Sequence, residues 1–371
     1  MESKIYLAAA GSGKTTFLVD LLSNQDARIL YTTFTDENAE VAMEMVYQRH
    51  GIIPPNITIL PWFSFLLEHG VRPFQGAAGF GKEKFSGVDL GHEGVNFNKK
   101  GTVGYYVNGS NEVYAAKLPE LALHCDECSA GAVVGRIKEL FDVILIDEIQ
   151  DMAGYDYDFI AALLHGGISL VMCGDERQST YRTNTAKKNK GKSIEQYFKE
   201  NGLAATCGID RSTLNGTYRC SKEIIEFANK VYPEFPSTDS LRVESDRAHN
   251  GIWIVLDSLA QEYCNMVDPV ILKNSVATST VNASVVCNFG KAKGRTYDHV
   301  LIYPVKDVLS WLQDNSTQLK PQTRSKLYVA ITRAKYSVGF VVPDNMIVGS
   351  PAELAIWNPQ DRKMKPMAQA D

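Results

Sequence analysis

The sequence predicts an α/β fold built on two parallel sheets with helices on both faces, and three observations carry that prediction. Short apolar strands alternate with helical patterns from the N-terminus, which implies parallel strands joined by crossover helices. The same rhythm starts again near residue 213. A glycine-rich loop, Ala8-Ala-Ala-Gly-Ser-Gly-Lys14-Thr-Thr16, lies between the first strand and the first helix, where such folds cradle phosphate.

Taken in order, the first cycle reads as a strand at Ile5–Ala9, a helix at Thr15–Leu22, a strand at Ile29–Thr33, a helix at Glu37–Arg49 and a strand at Ile57–Leu60. Residues 73–130 break the rhythm. They are rich in glycine, with a short alternating piece at Gly104–Val107, and read as a small inserted subdomain of turns and short strands. Strands at Phe141–Asp147 and Ile168–Cys173 resume the pattern. The second cycle gives a helix at Ser221–Tyr232 and strands at Gly251–Leu256, Ala283–Asn288 and His299–Tyr303. A helix at Lys326–Ala334 and a strand at Ser337–Val342 complete it, and NPQDRKMKPMAQAD reads as a polar tail. The expected domains are residues 1–212, including the insertion, and residues 213–371.

Hydrophobic residues at 44% and charged residues at 22% exclude a largely disordered chain. The apolar runs Val143–Ile146 and Val338–Val342 are strand-sized, too short to span a bilayer, and no signal peptide is read at the N-terminus. Seven cysteines, an odd number, do not suggest a disulfide framework, and a reducing cytoplasm is the expected setting. A net charge of −5 disfavours a protein that coats duplex nucleic acid, yet suits one that grips a few nucleotides locally.

The loop supplies the first chemistry. Gly11 and Gly13 let the backbone wrap a polyphosphate, with Ala10, Ser12 and Thr16 completing the cradle. Lys14 reaches the β- and γ-phosphates, and the Thr15 hydroxyl ligates Mg²⁺. The second element is Phe141-Asp-Val-Ile-Leu-Ile-Asp147-Glu148-Ile-Gln-Asp151, an apolar strand with two carboxylates at its C-terminal end. Asp147 suits the Mg²⁺ shell, and Glu148 suits a general base that takes a proton from an attacking water.

These motifs and their order resemble superfamily 1 DNA helicases of the UvrD/Rep/PcrA branch. Tyr31-Thr-Thr-Phe34-Thr35-Asp-Glu-Asn-Ala39 resembles the family's TFTNKAA, and Trp62-Phe63-Ser-Phe65 stands where the family has TFHSF. Cys173-Gly-Asp-Glu-Arg-Gln178-Ser-Thr-Tyr181-Arg resembles GDxxQSIYR. Leu214-Asn-Gly-Thr-Tyr218-Arg219-Cys-Ser resembles LxxNYRS. Phe289-Gly-Lys-Ala-Lys293-Gly294-Arg resembles HxxKGLE, and Leu327-Tyr-Val-Ala-Ile-Thr-Arg333-Ala-Lys is similar to LYVAxTRAK. The resemblance covers residues 5–342 and implies two RecA-like P-loop NTPase domains that hydrolyse ATP with Mg²⁺ in the cleft between them while translocating 3′ to 5′ on single-stranded DNA. It implies that Gln178 senses the γ-phosphate and that Arg219 and Arg333 act as arginine fingers. Tyr218 and Gly294 belong to the nucleotide site, Tyr218 stacking on the base. Phe34, Thr35, Trp62, Phe63, Tyr181 and Lys293 belong to the DNA path, where stacking on aromatics tolerates any base; core packing is the other reading of Trp62.

Departures shape the expectation. Thr16 replaces the arginine that usually sandwiches adenine, and no adenine-reading glutamine segment precedes the loop, so GTP or dATP use is expected. Thr183, Thr296 and Gly290 replace the family's tryptophan, glutamate and histidine. The short stretch between Arg219 and Lys293 implies that the large 2B insertion is missing, as in compact phage or mobile-element forms. The expected protein is a monomer in the cytoplasm of a bacterial or phage-infected cell. A second reading is a DNA-stimulated ATPase switch or loader acting with a nuclease or a replication or recombination partner, and a third is an RNA helicase. His124-Cys125-Asp-Glu-Cys128 holds a CxxC that could be half a zinc site with His92 or His124, and Lys187–Lys192 is either a phosphate contact or a solvated loop.

Overall fold

The computed structural model describes residues 1–23, 27–92, 98–179, 188–189, 191–243, 249–275, 277–289, 292–346 and 354–360. The chain divides into two compact units. The first comprises Met1–Ala8, Lys14–Glu176 and Tyr181–Thr213; the second comprises Ala9–Gly13, Arg177–Thr180 and Leu214–Asp371.

The first unit opens with β1 (Lys4–Leu7), α1 (Lys14–Leu21), β2 (Ile29–Thr33), α2 (Asp36–His50) and β3 (Ile57–Pro61). Helix α2 has well-marked ends. The Thr35 side chain accepts the Asn38 N–H, Asp36 and Glu37 lie in the first turn, and Gly51 closes the far end with φ 74°. After β3, α3 (Trp62–Phe65) passes into a π-helical turn at Leu66–Val71.

The inserted segment is more helical than its composition suggests. It holds β4 (Gly87–Asp89), α4 (Val103–Tyr106), β5 (Glu112–Tyr114) and α5 (Leu118–Cys128), with α6 (Ala132–Leu140) following. Residues 103–106 are therefore helical, and only Val107 makes a strand-like bridge, to Val113. Helix α5 buries Leu118, Leu121, Ala122 and Cys125 at helical spacing. Its sequence signal is blurred because the polar Lys117 and Glu120 are buried with them.

Elements β6 (Val143–Ile146), α7 (Tyr155–His165), β7 (Ser169–Gly174), α8 (Ile194–Glu200) and β8 (Gly208–Asp210) complete the unit. The sheet order is β3-β2-β6-β7-β1-β8, and every pair is parallel. Every residue of β2 and β6 is buried, as in a sheet covered on both faces. The strand leading to Lys14 and the strand leading to Asp147 are separated by β7 alone. This is the RecA-like arrangement the sequence predicts.

The second unit contains β9 (Gly216–Thr217), α9 (Lys222–Val231), β10 (Asp239–Ser240), β11 (Gly251–Leu256), α10 (Ala260–Val267), β12 (Val270–Lys273) and β13 (Val286–Asn288). Then come β14 (Tyr297–Tyr303), α11 (Lys306–Gln313), α12 (Pro321–Ile331), β15 (Ala334–Val342) and β16 (Ala355–Ile356). Its sheet runs β13-β12-β14-β15-β11-β16, again all parallel. Helix α12 starts earlier than expected because Pro321 sets its first turn, and it stops at Ile331, so Ala334 belongs to β15. Strand β12 and helices α10 and α11 are additions to the sequence reading. His249 is buried beside this sheet, with Nε2 2.9 Å from the Tyr263 hydroxyl and its ring stacked on Trp253. Burial, with the nearby His299 adding to it, lowers its pKa to about 4.

Candidate active site

In the first unit the chemistry gathers at the carboxyl ends of β1 and β6. Lys14 opens α1, is buried, and donates from Nζ to the Ala8 carbonyl at 3.2 Å. Beside it, the Thr15 hydroxyl donates to Asp147 Oδ2 at 2.7 Å. The same oxygen accepts the Tyr31 hydroxyl at 2.9 Å, and Asp147 Oδ1 accepts the Glu148 N–H at 2.9 Å. Asp147 is 2% exposed. Burial raises its carboxyl above the ordinary range, the Glu148 charge adds to the rise, and the two hydroxyls oppose it. Tyr31 is held well above the usual phenol range, mainly by burial.

Glu148 has φ 57°, a left-handed backbone rarely adopted outside glycine, and such outliers gather at functional sites. The turn redirects the chain at once after the buried strand. Gln150 donates to the Glu148 carboxylate, and its own Oε1 accepts the Asp175 N–H at 2.9 Å. The turn carrying Glu148 thus packs on the turn after β7. A side chain at Gly174 would meet Ile149 Cγ2 at 2.5 Å and Gln150 Oε1 at 2.6 Å, so only glycine allows this approach. Sequence reasoning missed Tyr31, Gln150 and Asp175 in these roles. The signal for the last two was their place inside DEIQD and GDERQ.

In the second unit, Gly11 has φ 72° and its carbonyl accepts the Tyr218 N–H at 2.9 Å. A Cβ at Gly11 would lie 2.5 Å from Arg219 Cβ. Gly13, at φ 83°, has the Tyr218 ring 3.9 Å from where its Cβ would stand. Ala10 is buried and donates its N–H to the Tyr328 hydroxyl at 3.4 Å. The Ser12 hydroxyl is buried and finds no hydrogen-bond partner among the described residues. An orphaned hydroxyl on a loop with two left-handed glycines fits a phosphate group. Thr15 Oγ1 and Asp147 Oδ2 fit a hard divalent cation, which takes oxygen ligands. Thr16 is exposed.

Both arginines donate to carbonyl or amide oxygens. Arg333 lies between α12 and β15, is 2% exposed, and donates to the Val329 and Arg295 carbonyls at 3.2 Å and to Gln178 Oε1 at 3.1 Å. Arg219 donates to the Thr332 carbonyl at 3.1 Å. The Arg219 carbonyl in turn accepts from Arg242 at 2.9 Å, whose guanidinium stacks 4.4 Å from the Tyr336 ring centre. Tyr218 itself is 63% exposed, open enough to stack on a planar group. Gly294 is exposed with φ 83°, and Lys293 beside it is half-buried.

Of the residues expected on the DNA path, those of the first unit are mostly enclosed or engaged within the fold. Trp62 is fully buried, donates Nε1–H to Asp156 Oδ1 at 2.7 Å and packs against Phe65 and Phe159. This corrects the expectation for Trp62: a ring sealed in the core cannot stack on a base. Phe63 is likewise buried, edge-on to the half-buried Phe34 at 5.7 Å. The Thr35 hydroxyl is engaged in capping α2. Tyr181 lies outside the described residues, as do Thr183, Gly290 and part of Lys187–Lys192. Cys125 is buried and its thiol pushed up to about 12 by burial, whereas Cys128 is exposed beside His124. His92 pairs with Asp89 at 3.0 Å. Among the described residues no group of three or more His, Cys, Asp or Glu is placed to hold a metal, and no helix is long and apolar enough to cross a membrane.

Comparison with known proteins finds a family-model match over part of the chain. Residues 104–199 match the model of the UvrD/REP helicase N-terminal domain. The chain is similar to the arterivirus nonstructural protein 10 helicase at 10% identity and TM-score 0.46, over 92% of this chain and 60% of that one. It is similar to the same arterivirus protein in complex with DNA at 11% identity and TM-score 0.47, over 92% and 62%. A third similar structure is the PRRSV helicase, at 12% identity and TM-score 0.45, over 93% and 53%. The chain therefore spans between 53% and 62% of the length of these structures. No curated protein matches it. Residues 104–199 take in the Asp147–Glu148 pair and the Gly174–Gln178 turn, and this segment is similar to the UvrD/REP helicase N-terminal domain.

Proposed function

We propose that the chain hydrolyses ATP and uses the cycle to move 3′ to 5′ along single-stranded DNA. One observation carries the reading. A hydroxyl at the start of the phosphate-loop helix is bonded to a buried carboxylate at the end of a parallel strand, and a second carboxylate follows on a strained turn. That is the layout phosphoryl transfer to water requires: a cation site beside a base that can face the attacking water.

Lys14 and the Gly11–Gly13 backbone bind the phosphates. Thr15 and Asp147 would hold Mg²⁺, and the ion would supply neutralisation of phosphate charge. Glu148 takes a proton from the water that attacks the γ-phosphorus, and the β–γ bond breaks to leave ADP and phosphate. Gln150 orients that carboxylate. Gln178 senses the γ-phosphate, and Arg219 and Arg333 stabilise the charge that develops on it. Tyr218 stacks on the base, and with Thr16 in place of a sandwiching side chain, GTP and dATP are accepted as well as ATP. Lys293, Phe34 and Tyr181 contact the strand.

The burial of Trp62 removes one expected stacking platform and favours a second reading, in which the chain is a DNA-stimulated ATPase switch or loader that acts with a partner without unwinding. The test measures phosphate release with no polymer, single-stranded DNA, duplex and RNA, then tailed duplexes of both polarities. Stimulation by single strands and unwinding of 3′-tailed duplexes support the motor. Stimulation without unwinding supports the switch, and turnover indifferent to every polymer removes both.

A further inference from the structure

The candidate cation site includes a side chain with no part in the steps above. Tyr31 lies in the middle of β2, wholly buried, and its register partners are Ile59 on β3 and Leu145 on β6. Paired residues of neighbouring parallel strands point to the same face, and side chains alternate along each strand, so Tyr31, Leu145 and Asp147 share one face of the sheet. The ladder continues past β6, with the Asp147 N–H donating to the Thr32 carbonyl at 2.9 Å. Asp147 therefore stands two residues beyond Leu145, about 6.6 Å further along at the usual strand rise. A phenol spans that gap, whereas a serine or threonine hydroxyl at position 31 would stop short. The Tyr31 hydroxyl donates to Asp147 Oδ2 at 2.9 Å.

Three donors reach the Asp147 carboxylate among the described residues, and they differ in what carries them. The Glu148 N–H comes from the very next residue, on the left-handed turn. The Thr15 hydroxyl belongs to the first turn of α1, beside the phosphate loop, and its own oxygen is a cation ligand in the reading above. Tyr31 is carried by a strand hydrogen-bonded on both sides, to β3 and to β6. Its bond to Asp147 is thus anchored in the body of the sheet and does not depend on how the loop is filled. We propose that Tyr31 is a positioning residue for the divalent cation: its hydroxyl fixes the rotation of the Asp147 carboxylate, so that Oδ2 is in place before nucleotide arrives. The inference rests on the ATP-hydrolysis reading above and adds to it a determinant of cation affinity that comes from sheet register. Groups that orient the ligands of a metal govern its affinity by about 10 to 100-fold.

The test uses the full chain, a fluorescent ATP analogue and Mg²⁺, and reads binding without requiring turnover. Tyr31→Phe keeps the ring and removes the donor. It should raise the Mg²⁺ concentration that half-saturates analogue binding by about tenfold or more. Analogue binding in EDTA should keep the wild-type affinity, since the hydroxyl bonds a carboxylate and no part of the phosphate loop. Mn²⁺ binding followed by electron paramagnetic resonance should weaken by the same factor. Tyr31→Met, a second variant without the donor that packs differently, should show the same shift. A shift in Tyr31→Met alone assigns the effect to packing and overturns the proposal. Wild-type Mg²⁺ dependence in Tyr31→Phe, or an equal loss of affinity with and without the cation, overturns it as well and leaves the hydrolysis reading standing. A wild-type chain that binds the analogue with no dependence on Mg²⁺, or not at all, removes both.

Discussion

The carboxylate end of the first unit and the arginine cluster of the second hold their charged groups by the same device with opposite sign. Asp147 accepts from two hydroxyls and a backbone N–H, and its pKa rises because these and the nearby Lys14 charge do not outweigh burial and the Glu148 charge. Arg333 and Arg219 donate to carbonyl and amide oxygens. Surface pairs differ: Arg28 with Asp142 and Arg324 with Glu234 bring opposite charges together through two-pronged contacts. Bonds to neutral groups orient a charge without themselves cancelling it. A site that must meet a charged ligand is better built the first way than the second.

The comparison can be broken at its strongest points first. Glu148→Gln keeps the shape of the turn but not the base, and should lower turnover by about 10² to 10⁴-fold while nucleotide binding, read by fluorescence of a labelled analogue, survives. Arg333→Ala should cost on the order of 10³-fold in turnover. Arg333→Lys should recover little, because one ammonium cannot span Val329, Arg295 and Gln178 together. Wild-type rates in either series would dissolve the contrast between the two ends.

Two smaller effects sharpen it. His249 stays neutral in the fold down to about pH 4, whereas in the unfolded chain it takes up a proton near its ordinary value. The stability it contributes is therefore complete above pH 6.5 and drains away between pH 6.5 and 4, by roughly 3 kcal/mol. Denaturant titrations across that range should show the loss, and His249→Gln should flatten it. Trp62→Phe should cost about 1–3 kcal/mol, since it leaves the buried Asp156 short of a donor. DNA affinity should not change; a large loss there would restore Trp62 to the DNA path.

Much of the scaffold was legible because short apolar runs bounded by turn residues admit few readings. Ile29–Thr33 and Gly251–Leu256 stand as read. Strand β12 carries the same signal, Val-Ile-Leu between Pro269 and Asn274, yet sits where a gap was expected. The inserted segment misled because its glycines mark turns truly, while α5 hides its period behind buried polar side chains. At the candidate site, local motifs picked out Thr15, Asp147 and Glu148, and the Thr15 hydroxyl bonds Asp147. What they could not name was Tyr31, whose hydroxyl meets Asp147 across 116 positions of sequence, or the sealing of Trp62 by Asp156. Contacts of that kind follow from sheet order, and sheet order is not written in any one segment.

The left-handed backbone at Glu148 has a consequence for evolvability. A glycine there would relax the turn and remove a negative charge from the flank of a buried carboxyl, so Glu148→Gly should melt at a higher temperature than the wild-type chain while losing its turnover. Selection for robustness alone would erase this residue. Its place in the chain marks a position where folding and work pull apart, and where the work has won.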